Sequence, residues 1–177
     1  MKIVLHICCG VCATAVVERL ISEGHQVLGL FYNPNIYPFP EYAKRREAAR
    51  EVAKRMNLKL EIPPYDAEEW LREIAGLESE PEGGRRCQVC FRHRLRITCR
   101  YMELYRFDAF TTTLTVSPRK PAKVINQIGR EIGGERFLAG DYKKKDGFHR
   151  AVVLGKEFDL YHQNYCGCRY SMKEESS

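Results

Sequence analysis

The five residues Cys8-Cys9-Gly10-Val11-Cys12 follow directly on a short apolar run, Ile3, Val4, Leu5 and Ile7, and they restrict the folds open to this chain more than any other stretch. A strand that delivers three thiols into a turn, with Gly10 letting the backbone bend sharply, aims several sulfurs at one centre, which a buried structural cysteine never requires. Two more groups follow: Cys87-Gln88-Val89-Cys90, a Cys-x-x-Cys, and Cys166-Gly167-Cys168, a Cys-x-Cys. Seven of the eight cysteines thus sit in three tight groups, whereas cysteines serving as small hydrophobes would be scattered over the apolar faces. The fold has to bring those groups together. Cys99 is the exception; it falls on the apolar stripe of its helix and reads as a buried thiol.

At 177 residues the chain supports one well-buried core, so we expect a single domain over 1–177 with a polar tail after about residue 172. No apolar run approaches the roughly 20 residues of a membrane span, and the opening run is too short for a signal peptide. A cytoplasmic protein with no membrane partner is expected. In that reducing compartment clustered cysteines serve as ligands or catalysts more often than as disulfides. The formal net charge of +6 suits a polyanionic partner.

Along the chain, residues 2–8 read as a buried strand, and Ala13, Val16, Val17, Leu20 and Ile21 follow at helical spacing up to Gly24. Val27 to Phe31 is a second strand, ended by the loop Tyr32 to Pro38, and Glu41 to Met56 is helical. Leu58 to Ile62 is a third strand, after which Asp66 is placed to cap a short helix. Glu78 to Arg86 reads as a loop presenting the Cys-x-x-Cys, with a helix from about Val89 to Tyr105. Phe107 to Thr113 is the fourth strand, Pro121 opens a helix closed by Gly133-Gly134, and Phe137 to Ala139 is the fifth strand. This alternation predicts an α/β fold, a parallel five-stranded sheet with helices on both faces. Ligands of such sheets bind beyond the carboxyl ends of the strands. That edge should collect the Cys8 turn, Asn33, Asn35, Thr111 to Ser117 and Asp141.

Four thiolates suffice for a cubane iron–sulfur cluster or for a structural zinc. Adjacent Cys8-Cys9 weighs against zinc, whose structural pairs usually leave two to four residues between ligands. Arg85-Arg86, Arg119-Lys120 and Lys143-Lys144-Lys145 could grip phosphates, although charge runs are commonly solvated surface. Tyr32, Tyr37, Tyr142 and Phe148 could stack bases or simply pack. His6, inside the apolar strand, reads as a satisfied core histidine. Asp141 is a candidate acid, base or metal ligand, with a turn residue as the plainer alternative. We expect a Rossmann-like sheet of the adenine nucleotide alpha hydrolase-like (HUP) kind. Its first turn nevertheless offers three cysteines where ATP pyrophosphatases carry a Ser-Gly-Gly-x-Asp-Ser phosphate loop.

Six stretches taken together resemble the QueH-type epoxyqueuosine reductases: His6 to Cys12, Tyr32 to Ile36, Glu80 to Phe91, Thr111 to Ser117, Asp141 to Lys145, and Tyr165 to Cys168. The likeness covers nearly the whole chain. It implies the last step of queuosine biosynthesis, deoxygenation of the epoxide of epoxyqueuosine at the anticodon wobble position of tRNA, by an iron–sulfur oxidoreductase that needs no cobalamin. We further expect an electron donor protein, and tRNA contacts through Tyr32, Asn33, Asn35, Arg85, Arg86, Ser117, Lys120, Tyr142, Lys143, Lys144 and Lys145. We expect a [4Fe-4S] cluster on Cys8, Cys9, Cys87 and Cys90. The surplus thiols form either a redox-active dithiol or, as we prefer, a second adjacent iron or other metal ion, held by Cys166, Cys168, Cys12 and Asp141. A zinc-stabilised RNA-binding module without redox activity is the alternative.

Overall fold

The computed structural model describes residues 1–172, so the tail after Met172 lies outside the described residues. Four parallel strands, β1 (Lys2–His6), β2 (Gln26–Leu30), β3 (Lys59–Glu61) and β4 (Ala109–Thr112), pair in the order β3-β2-β1-β4. Alternation along β1 builds a core on each face. Ile3, Leu5 and Ile7 meet α1 (Gly10–Ser22), α2 (Phe39–Arg55) and Ala151 of α6 (Gly147–Glu157). Val4 points the other way, toward Phe91, Leu95 and Met102 of α4 (Arg85–Leu104) and Ile125 and Ile128 of α5 (Ala122–Gly133). A sixth helix, α3 (Glu68–Glu73), opens with Asp66 accepting the Glu68 amide at 2.9 Å, the expected cap. Cys99 is buried in the α4 face of the core, as its stripe predicts.

The expected fifth strand shrinks to one parallel bridge, Phe110 to Phe137. Both backbone groups of Gly140 are taken by the Asn126 side chain, at 3.2 and 3.1 Å, so the segment cannot continue the ladder along β4. The helix α6 was not expected. Its buried residues Ala151, Leu154 and Gly155 carry helical spacing, but Gly147 and Gly155 weaken the signal.

The strand order reverses between β1 and β4, since β1 leads to β2 and β3 on one side while β4 lies on the other. A crevice therefore opens beyond the carboxyl ends of β1 and β4. Close packing fixes its floor: a Cβ on Gly10 would lie 2.8 Å from the Ala48 backbone of α2, so only glycine allows the first turn of α1 to sit this near its neighbour.

Candidate metal centre

Both thiol-bearing turns are helix starts. Cys9 is the N-cap of α1, and its sulfur accepts the Cys12 amide at 3.4 Å. The Cys-x-x-Cys, expected at the end of a loop, lies instead in the opening turns of α4, which begins earlier than its apolar stripe. The Glu80 carboxylate accepts the Arg85 amide at 3.1 Å and supplies the missing cap.

The sulfurs of Cys8, Cys9 and Cys12 all lie within 4.8 Å of one another. Thr113, just after β4, accepts the Cys8 amide at 3.0 Å and donates its hydroxyl to the Cys8 sulfur at 3.2 Å. Donation from Cys12 and Cys9, assisted by the Lys120 charge, holds Cys8 well below an ordinary thiol. Cys12 also donates to Cys9, yet donation by Cys9 to Cys8 and burial push Cys9 up to about 12. Cys12, donating to both and buried, is raised as well. Of the three, Cys8 is therefore the sulfur whose charged form its neighbours favour most.

The other four thiols form a second group. Cys90 and Cys168 pack together with Trp70 and Ile74. Burial raises Cys87 and Cys90, and the sulfurs of Cys166 and Cys168 add to the rise in both. All eight cysteines are free of disulfides. Donors lie near the sulfurs: the Gly83 amide reaches Cys87 at 3.2 Å, and the buried Trp70 indole N–H, which has no hydrogen-bond partner, sits in the cluster that holds Cys90 and Cys168. Soft donors converging in this number, with N–H groups aimed at them, suit an iron–sulfur cluster or another thiophilic metal.

A cavity of about 470 Å³ opens beside the thiols, lined by Cys12, Ser117, Lys120, Phe148, Gln163 and Cys166. Burial disfavours the Lys120 ammonium, but the sulfurs of Cys166, Cys8 and Cys12 more than compensate and raise it above its usual range. Ser117 and Lys120, expected to contact RNA, thus line this cavity.

Several expected residues stand elsewhere. Asp141 pairs with Lys143 at 2.9 Å and lines a cavity with Met1, Arg19 and His25. Among the described residues its carboxylate does not join the Cys8, Cys9 and Cys12 sulfurs, which lie within 4.8 Å of one another. Asn33 and Asn35 are buried, Asn33 donating to the Ile7 carbonyl at 2.8 Å. Arg86 is buried too, its guanidinium spent on the carbonyls of Leu77, Glu78 and Glu80, whereas Arg85 is exposed. Tyr32 bonds His93 at 2.9 Å beneath α4, and Tyr142 is buried against Thr111 and Arg19. Lys144 and Lys145 are exposed beside the carboxyl half of α1. His6 is the satisfied core residue expected: Nε2 donates to the Tyr32 carbonyl at 3.0 Å, Nδ1 accepts from Thr112 at 2.9 Å, and burial followed by the Arg94 charge lowers it to about 4.

Two residues essential to the geometry carry no motif. Arg45 of α2, ion-paired with Glu41 at 2.8 Å, donates to the carbonyls of Cys166 (2.9 Å) and Tyr165 (3.0 Å) and so fastens the Cys-x-Cys to the sheet edge. Arg94 stands among the thiols themselves. The only sequence signal for Arg45 is Glu41 one helical turn earlier on a stripe otherwise apolar.

The sequence profile described as Epoxyqueuosine reductase QueH matches residues 3–174. The epoxyqueuosine reductase QueH of Streptococcus pyogenes serotype M1 is 37% identical over 97% of this chain and 71% of its own length. That of Haemophilus influenzae is 34% identical over 99% and 73%. In fold, the chain is similar to the U34-tRNA thiolase NcsA from Methanococcus maripaludis, solved with its [4Fe-4S] cluster, at a TM-score of 0.59 and 15% identity over 98% of this chain and 62% of that one. With matches this long and the clustered thiols gathered at the strand ends, the chain belongs to the epoxyqueuosine reductase QueH family.

Proposed function

We propose that this chain reduces epoxyqueuosine in tRNA to queuosine, and that the observation carrying this reading is the convergence of seven thiols from three sequence groups beside a cavity lined by Lys120 and Arg119. The reaction converts an epoxide to an alkene, consuming two electrons and two protons and releasing water. A [4Fe-4S] cluster bound here would supply electrons singly. The grouping supports Cys87, Cys90, Cys166 and Cys168 as its ligands, in place of the set expected from sequence. Cys8, Cys9 and Cys12 would hold the second metal, with the fourth position open as catalytic sites require. Lys120, its charge held by neighbouring sulfurs, is the residue placed to donate a proton to the epoxide oxygen from Nζ. Ser117, Gln163 and Phe148 line the cavity and orient the cyclopentane ring. Electrons come from a donor protein. Among the described residues no helix is long and apolar enough to cross a membrane; a cytoplasmic location follows from the tRNA substrate.

The reading is tested with anaerobically reconstituted protein, a chemical reductant and tRNA carrying epoxyqueuosine. Queuosine should appear in the digested product. A colourless protein holding one zinc and yielding no queuosine would return the zinc-stabilised RNA-binding module.

The RNA face can be separated from the chemistry. Tyr37 and Phe39 are 42% and 52% exposed, and the Tyr37 amide donates to Gly167, between two thiols, at 2.8 Å. The Arg169 guanidinium lies 4.3 Å from the Tyr37 ring centroid. Bases flanking a splayed-out nucleotide stack on such surfaces. Replacing both rings by alanine should leave the visible absorbance intact and weaken tRNA binding by about 1–3 kcal/mol per lost stack. Charge reversal of Lys143, Lys144 and Lys145 should weaken binding less and flatten its salt dependence. Unchanged affinity in both variants would move the RNA face to Arg85 and Arg119.

A further inference from the structure

Arg94, in α4, is 2% exposed, and among the described residues no carboxylate reaches it. Its Nε donates to the Cys90 carbonyl and one terminal nitrogen donates to the Asn33 side-chain oxygen, each at 3.4 Å. The other terminal nitrogen is buried with no nitrogen or oxygen partner. Asn33 in turn donates to the carbonyl of Ile7, the residue before Cys8, at 2.8 Å. A continuous line of hydrogen bonds therefore joins the two thiol-bearing turns, running Ile7, Asn33, Arg94, Cys90. The sulfurs acting on Arg94 most strongly are those of Cys90, Cys166 and Cys8, one from each sequence group.

A buried cation lacking a counter-ion is strongly disfavoured. Arg86, buried on the same helix, is accounted for by three loop carbonyls. Around Arg94 stand the Phe91 ring, 5.8 Å from its guanidinium carbon, the like charge of Lys120, and the thiols, which become anionic when they bind metal. We infer that Arg94 is a positioning residue and the counter-charge shared by both thiol groups: its unpartnered nitrogen faces the negative charge of the metal-bound thiolates, and its bonds to Asn33 and Cys90 set the spacing between the Cys8 turn and α4. The inference rests on the metal-binding reading given above.

The experiment compares full-length wild type with Arg94→Met, Arg94→Gln and Arg94→Lys after anaerobic reconstitution. It reads iron content, the midpoint potential of the cluster followed by electron paramagnetic resonance, and the melting temperature with and without metal. A reduced cluster carries one more negative charge, so losing the cation lowers the potential. Arg94→Met and Arg94→Gln should shift the redox equilibrium at least tenfold, about 59 mV for one electron. Both should also shrink the rise in melting temperature on metal loading, while the metal-free chain melts no lower than wild type. Arg94→Lys, which keeps the charge and loses the forked geometry, should recover the potential. Wild-type potentials in the Met and Gln variants would overturn the inference. So would equal destabilisation of loaded and metal-free protein, the mark of a packing residue. Should Arg94→Met fail to fold, Arg94→Gln, which retains a donor for Asn33, decides alone. Wild-type protein that takes up no iron would end the metal reading itself; normal loading with unaltered variants would end only the role of Arg94.

Discussion

Cys168→Ala or Cys90→Ala protein, reconstituted anaerobically, should lose the visible absorbance of an iron–sulfur cluster and all reduction of epoxyqueuosine, whereas Cys9→Ala should keep the absorbance and lose metal beyond about four irons per chain together with activity. The reason is spatial. Cys90 and Cys168 pack in one cluster with Trp70, and Cys87 and Cys166 stand within electrostatic reach, which is why we propose these four as the ligand set. Cys9 belongs to a compact trio of its own. Sequence spacing had favoured Cys8, Cys9, Cys87 and Cys90, and that set requires the opposite result: Cys168→Ala would retain the cluster and Cys9→Ala would abolish it. Iron, sulfide and absorbance on the three variants decide between the two partitions.

Arg45→Met should lower stability by about 3–5 kcal/mol, the penalty for removing one partner of a buried ion pair. Side-chain exposures of 3% for Arg45 and 9% for Glu41 put the pair in the interior, and Glu41 also accepts the Tyr161 hydroxyl at 2.7 Å. The variant strands that carboxylate without its cation. It also frees the carbonyls of Tyr165 and Cys166, both bound by the guanidinium. At about 2–4 °C per kcal/mol for a chain of this size, thermal unfolding of the metal-free protein should show a drop well outside error. Metal uptake should fall as well, because the Cys-x-Cys loses its fastening. A double variant, Arg45→Met with Glu41→Leu, should regain most of the stability and little of the metal uptake. Equal recovery of both would show that Arg45 contributes packing alone.

The strands and most helices were legible because each face of the sheet demands apolar residues at a fixed period, which β1 and α1 display. Convergence of the thiols was legible for a similar reason: three groups have chemical use only if the fold unites them. Burial of single polar residues was not. Arg86 and Arg85 are neighbours in sequence, yet one reaches back to three carbonyls and the other meets solvent, a difference set by the loop that returns beside α4. Asn33, Asn35, Tyr32 and Tyr142 read as loop residues available to RNA, but they close the ends of the sheet. Asp141 satisfies its charge locally on Lys143, which no spacing argument foretells. Arg94 was hidden for the converse reason, since an arginine in a charged helix gives no sign that the fold will bury it.

All four strands are complete by Thr112, and the trio in the first turn of α1 needs only β1, α1, α2 and the Thr113 hydroxyl to take shape. Cys166 and Cys168 arrive only after α6, on a segment with no strand of its own. Because chains emerge and fold from the N-terminus forward, a ribosome making this protein exposes the first five clustered thiols long before the last two can join them. On the ligand set we propose, the cluster site therefore cannot be complete until the segment after α6 has been made, and the shorter chain offers only part of it.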